Sequence, residues 1–229
     1  MSDAIPDLLL TEAAVVAGVP VTWLEVIGFV AGVWCVWLTA KEDVRAWPVG
    51  IVQVTAYIVL FYAYGLYADS LLQGVYIALG IYGWISWTRR STSAHGAEQA
   101  EVDPVTPMHA LRIRAATLRD VVIAVTAVAV MTAVFWTFLS RWTTSTVGLW
   151  DALTTALSLL AVMTQARKVV QSWWLWIIAD VIYIPLYASK GLWLTAGLYV
   201  IFLALCVYGL REWSQRVREL RTTTVESSA

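Results

Sequence analysis

The chain is poor in charge, poor in cysteine and lacks an obvious reactive centre. Asp, Glu, Lys and Arg make up only 14% of its 229 residues. A soluble domain is usually about a quarter charged and about half apolar. Here 60% of residues are apolar and the mean hydropathy is +0.71. A disordered chain could not keep so much apolar surface in water. Two Cys are too few for a disulfide scaffold. A net charge of −1 supplies no basic patch for nucleic acid. There is no GxxxxGK[ST] phosphate loop, so no ATP engine is built in. The absence of a nucleophile–base pair argues against a membrane enzyme. The first 20 residues hold no Lys or Arg, so they do not read as a secretory signal. The last apolar stretch holds no Lys, which a retinal protein would want there. His95 and His109 have no companion ligands, and no metal or cofactor is called for.

What remains is an all-α polytopic membrane protein. A span needs roughly 20 mostly apolar residues. Seven stretches qualify, at 22–39, 47–64, 70–87, 118–139, 150–164, 173–188 and 192–210. The fourth, with its AVTAVAVMTAVFW run, is aliphatic and almost without polar side chains. The other six carry most of the Trp, Tyr, Gln and Gly, so the fourth reads as a spacer. Residues 1–21 and the tail 214–229 flank the spans, and the polar stretch 88–117 reads as an exposed loop. With the N-terminus outside, thirteen Lys and Arg fall on the inward side. Only Arg141 and Lys190 fall outward. Basic residues collect on the cytoplasmic side of membrane proteins, so the reading is N-out and C-in.

The sequence also repeats itself. Shifted by 126, Trp47 falls on Trp173, Tyr57 on Tyr183, Gly65 on Gly191, Tyr82-Gly83 on Tyr208-Gly209 and Trp87 on Trp213. The register needs no gap over 65 positions and gives 16 identities. Three spans leave the chain on the side opposite to its start, and one more crossing returns it. The repeats, 22–87 and 149–213, are therefore parallel, with the linker helix at 118–140 between them. Parallel repeats of this kind build secondary transporters, with the substrate held between the halves near the midplane. Gly65, Gly83, Gly191 and Gly209 would permit close helix contacts.

Polar residues at membrane depth are costly and mark candidate sites. In the sixth span Trp173, Trp176, Asp180, Tyr183 and Tyr187 are spaced 3, 4, 3 and 4 apart, so they share one face. A carboxylate there needs a partner, a cavity or a proton. Flat rings beside it would stack on a flat ligand, and the acid would meet a positive charge or hydroxyls. The bland alternatives are interfacial aromatics and a structural helix–helix hydrogen bond. Pro185 would open the backbone ladder toward such a cavity. The second span presents Trp47, Gly50, Val54, Tyr57 and Phe61, with Gln53 beside them. The third offers Gln73 and Tyr76, and the seventh Tyr199 and Phe202. Cys35 and Cys206 read as small apolar fillers. The halves match in shape but not in polar chemistry, which suits one asymmetric ligand.

The stretches WPVGIVQVTAYIVLFYAYGLYADSLLQGVYIALGIYGWISW and ARKVVQSWWLWIIADVIYIPLYASKGLWLTAGLYVIFLALCVYGLREW resemble the two halves of PnuC-type vitamin transporters. The resemblance runs from about residue 22 to 213 and rests on WP, YGLYAD, LLQ, YGW, WxxWxxxD and KGLxLTAxLY. It implies a 3+1+3 arrangement like that of SWEET sugar exporters. It implies uptake of nicotinamide riboside by facilitated diffusion, with a cytoplasmic kinase that phosphorylates and traps the substrate. Neither an ion gradient nor ATP would drive it. The family's site would map onto Trp173, Trp176 and Asp180, with Gln73, Tyr76 and Tyr199 nearby. The chain departs from the family pattern where Asn is usual, at Gln53 and Asp180, and near Val162, where Gln is usual. Relatives with altered polar residues resemble thiamine or riboflavin importers, so the departures bear on the substrate and not on the fold. The alternatives are a thiamine or riboflavin carrier of the same family and a non-transporting sensor or assembly subunit. The expected partners are a small vitamin, the lipid bilayer and the trapping kinase, with no nucleic acid. A homo-oligomer stays open.

Overall fold

The computed structural model describes residues 11–16, 19–63, 67–98, 113–142, 148–189 and 193–226. Gly65, Gly191, Lys190, His109 and much of the expected loop lie outside them. Among the described residues there are seven helices and one β-hairpin. The hairpin pairs β1 (Glu12–Val16) with β2 (Val19–Thr22) in antiparallel fashion, within the stretch read above only as a flanking segment. Its last residue, Thr22, caps α1 (Trp23–Ala40). The Thr22 hydroxyl accepts from the Glu25 amide at 3.3 Å, and the Glu25 carboxylate accepts from the Thr22 amide at 2.7 Å. This reciprocal box satisfies helix donors that would otherwise face the apolar interior unpaired.

The remaining helices are α2 (Ala46–Ala63), α3 (Tyr67–Glu98), α4 (Leu118–Trp142), α5 (Gly148–Ala166), α6 (Ser172–Ser189) and α7 (Trp193–Glu226). Four contain a segment long and apolar enough to cross a membrane: Trp23–Ala40, Ala46–Ala63, Leu118–Arg141 and Ala196–Glu219. The others are diluted by Trp, Tyr, Gln, Thr and Pro, which lower hydropathy without making a helix soluble. Two helices outrun the expected spans. α3 continues past residue 87 to Glu98, and α7 past 210 to Glu226. Part of the stretch read as loop and most of the stretch read as tail are thus helical. An apolar-run criterion ends where polarity begins, while a helix ends where its backbone is capped or broken.

The repeat is visible in backbone detail. Glu42 ends α1 with φ 59°, and Lys168, 126 residues later, ends α5 with φ 53°. At the first turn the Glu42 amide donates to Thr39 O at 3.0 Å and the Asp43 amide to Leu38 O at 2.9 Å. At the second the Lys168 amide donates to Gln165 O at 2.9 Å and the Val169 amide to Thr164 O at 3.1 Å. Both are Schellman ends, built here without the usual glycine.

Contacts group the chain into Met1–Trp84 and Ile85–Ala229. In the first unit α1 packs on α2 around Leu24, Ala56 and Leu60, and the Tyr57 ring lies over Gly28. Trp47 of α2 seats its indole against Gly83 of α3. In the second unit α5 is the most enclosed helix, packed against α4 and α6. Its Ala152, Ala156, Ala161 and Ala166 are fully buried, and such small residues let backbones approach closely. α4 has no buried residue in its apolar segment and exposes Val122, Val125, Val130 and Val134. Its start is tied to the α5–α6 turn. Arg114 forms a parallel bridge with Val169, and the Ala116 amide donates to Gln171 Oε1 at 2.6 Å.

Trp173 of α6 seats its indole against Gly209 of α7, repeating the Trp47–Gly83 contact at the same offset. Trp213 meets Trp173 edge-on, with ring centroids 5.5 Å apart, and touches Trp87 at 6.3 Å. A Cβ on Gly209 would come 2.5 Å from Trp173 Cη2, and the enclosed ring cannot swing away. Gly209→Ala should therefore cost about 1–3 kcal/mol, the usual range for overpacking. Thermal unfolding in detergent should show a lowered Tm for Gly209→Ala. Gly197→Ala, where nothing lies within 4 Å, should leave Tm unchanged.

Candidate functional site

α6 has two faces. Trp174, Ile178, Val181 and Pro185 form an exposed stripe, while Trp173, Ala179 and Asp180 are buried. The stripe corrects one expectation. Pro185 interrupts the ladder on the exposed side, so the carbonyl it frees, that of Val181, belongs to the exposed stripe and not to the face of Asp180.

On the inner face the aromatic residues divide into packing and open groups. Trp173 is fully buried between Gly209 and Trp213, and its indole N–H has no hydrogen-bond partner. Its ring offers no free face to a ligand here, in place of the expected stacking surface. Trp47 likewise packs on Gly83. Trp176, one turn on from Trp173, is only partly buried, and its indole N–H donates to Gln165 Oε1 of α5 at 3.0 Å. Gln165 was not singled out from the sequence. It stands at a helix end beside Arg167 and Lys168, where a polar residue reads as interfacial.

Asp180 lies one further turn along the same face and is 4% exposed. Its Oδ2 has no hydrogen-bond partner, and the Cys206 thiol of α7 lies beside the carboxylate. Ser172 Oγ is also buried and unpaired. Beyond Asp180, Tyr183 and Tyr187 stack at 5.6 Å and gather Tyr199 at 4.7 and 5.3 Å, with Phe202 edge-on to Tyr199 at 5.9 Å. The first repeat handles its equivalent tyrosine differently. Tyr57 rests on Gly28, whereas the position matching Gly28 is Thr154, fully buried, and Tyr183 turns toward α7 instead. The structure thus gathers Trp176, Asp180, Tyr183 and Tyr199 on α6 and α7, with Gln165 and Cys206 added to them.

Gln53, Gln73 and Tyr76 belong to the first unit and are each partly buried. Among the described residues neither Gln makes a side-chain hydrogen bond, so both amides are available. No cluster of His, Cys, Asp and Glu able to hold a metal occurs among the described residues.

The chain is similar to known proteins over most of its length. The family model described as nicotinamide mononucleotide transporter matches residues 22–215. The chain is 29% identical to the nicotinamide riboside transporter PnuC of Escherichia coli (strain K12), over 88% of this chain and 89% of that one. It is also 29% identical to the riboflavin/roseoflavin transporter RibM of Streptomyces davaonensis, over 92% and 93%. A crystal structure of the vitamin B3 transporter PnuC superposes with a TM-score of 0.66 at 25% identity, covering 86% of this chain and 83% of that one. A repeated indole–glycine contact and a buried acid on the inner face of α6 accompany a family match over residues 22–215, and the chain belongs to the nicotinamide mononucleotide transporter family of membrane transport proteins.

Proposed function

We propose that the chain carries nicotinamide riboside into the cell by facilitated diffusion. The observation that carries this reading is Asp180, a carboxylate 4% exposed with an unpartnered oxygen, one turn from the half-open Trp176. A buried carboxyl with one oxygen unsatisfied is costly, and intramembrane acids are kept for ligands, ions or relays. Nicotinamide riboside offers a pyridinium for the acid and a flat ring for the indole. Phosphorylation by a cytoplasmic kinase would retain the product, so a downhill carrier would suffice. The chain would sit in the cytoplasmic membrane as first repeat 22–87, loop 88–117, linker 118–140, second repeat 149–213 and tail 214–229, with residues 1–21 outside. The thirteen inward Lys and Arg support that orientation.

The similarity to RibM favours riboflavin as a second reading. Riboflavin is neutral and larger, and it gains least from Asp180. Thiamine is a cation and would use the same acid. Calorimetry on purified protein with the three vitamins separates them: the riboside should bind most tightly, and dominant riboflavin or thiamine binding would replace it as substrate.

Asp180→Ala should weaken riboside binding by about 2 kcal/mol, roughly thirtyfold, with the protein still in the membrane. Asp180→Asn restores an amide and should lose less. Unchanged uptake by Asp180→Ala would remove the acid from the site. A cysteine at Ser228 in a Cys35→Ser, Cys206→Ser background should react with an impermeant thiol reagent only after cells are opened; labelling of intact cells would reverse the orientation.

A further inference from the structure

We infer that Gln165 is a positioning residue for the substrate site, acting through the Trp176 indole; the inference rests on the site proposed above. Gln165 is 8% exposed, in the last turn of α5. Its Oε1 accepts the Trp176 Nε1–H at 3.0 Å, linking α5 to α6 across the turn that joins them. An indole has a single N–H donor, so one well-placed acceptor fixes the ring's rotation about its side-chain bonds. Trp176 and Asp180 are four residues apart on one helix, hence neighbours on one face. The angle at which the ring stands therefore sets how the indole is presented beside the acid.

The repeat supplies an internal control. The positions equivalent to Gln165 and Trp176 are Thr39 and Gly50. There the Thr39 hydroxyl donates to its own helix at Cys35 O, 2.8 Å away. Gly50 carries no ring, and Cys35 Sγ stands 3.0 Å from where its Cβ would be. Yet the same Schellman turn closes in both repeats, with the Thr39 and Gln165 carbonyls accepting from the Glu42 and Lys168 amides at 3.0 and 2.9 Å. The backbone of residue 165 serves the fold. Its side-chain amide and the indole that it holds are additions that the fold does without in the first half. Such additions, on the face that also carries the acid with its unsatisfied oxygen, are assigned to the ligand.

A double-mutant cycle tests this. Gln165→Met keeps length and removes the acceptor, and Trp176→Phe keeps a ring and removes the donor. Binding of nicotinamide riboside, thiamine and riboflavin is measured on the wild type, and the cycle uses whichever binds. In the wild-type background Gln165→Met should raise Kd about fivefold, the worth of one hydrogen bond. In the Trp176→Phe background it should change Kd by less than about twofold, since the bond is already gone. Gln165→Glu, which keeps an acceptor oxygen, should bind more tightly than Gln165→Met. Equal losses in both backgrounds, or no loss in the wild type, overturn the inference. Should Gln165→Met fail to fold, as read by Tm, the comparison of Gln165→Glu with Gln165→Ala in both backgrounds decides it. Failure of the riboside alone, with riboflavin or thiamine bound and the coupling present, removes the proposed substrate and keeps the positioning role. Binding of none of the three overturns both.

Discussion

An indole laid against a glycine is the contact on which the rest depends. In lipid the tails are as apolar as the side chains, so helices gain little from hydrophobic burial and must be held by close packing. A glycine removes the Cβ that would keep two helices apart, and a tryptophan fills the opening with the largest flat side chain available. The chain does this twice, with Trp47 on Gly83 and Trp173 on Gly209. Each contact fixes the rotation of one helix against the next, α2 against α3 and α6 against α7. In the second case Trp213 closes on the ring from its edge and locks it. Once Trp173 is fixed, the 3.6-residue period of α6 leaves no freedom in where Trp176 and Asp180 stand.

Upon this shared skeleton the halves diverge in their fillings. Equivalent turns keep the same hydrogen bonds to within about 0.2 Å, compared at Asp43–Leu38 and Val169–Thr164. Equivalent side chains do not match. Val54 becomes Asp180, Gly80 becomes Cys206, Gly28 becomes Thr154, Gly50 becomes Trp176 and Thr39 becomes Gln165. The first half is therefore a demonstration that the fold closes without the polar set of the second. That separation is rarely available in a single chain. It lets burial that serves folding, as at Trp173, be distinguished from burial that leaves a polar group unsatisfied, as at Asp180.

Much of the fold was legible because its signals are strong and periodic. The seven described helices overlap the seven apolar stretches of the sequence, and the ungapped offset paired Trp47 with Trp173 and Gly83 with Gly209. What escaped has physical reasons. The extensions after Trp87 and Trp213 are polar, so hydropathy is silent about them although nothing breaks the helix. The hairpin before Trp23 is short, and its strands carry too few residues for a period-two pattern to stand out. At the site, spacing alone placed Trp173, Trp176 and Asp180 on one face. It could not tell that Trp173 is enclosed by Gly209, a fact settled by a residue 36 positions away. Gln165 escaped for the same reason, since its partner lies across a turn and its neighbours are basic.

The choice of ligand has to be made by few groups. RibM and the E. coli PnuC are each 29% identical to this chain, so one scaffold serves proteins named for a neutral flavin and for a cationic riboside. On the reading proposed above, the side chains of the inner faces, rather than shape and repeat, would select the cargo. Among the described residues of α6, Asp180 is the one with an acidic side chain, and it is buried. A neutral ring entering beside it would leave the carboxylate desolvated and uncompensated, whereas a pyridinium returns in Coulomb energy part of what water supplied. Where the acid lines the site proposed above, it would discriminate against the larger, neutral flavin. Polar residues that merely joined helices could not discriminate in this way, because their hydrogen bonds would be consumed within the protein before any ligand arrived.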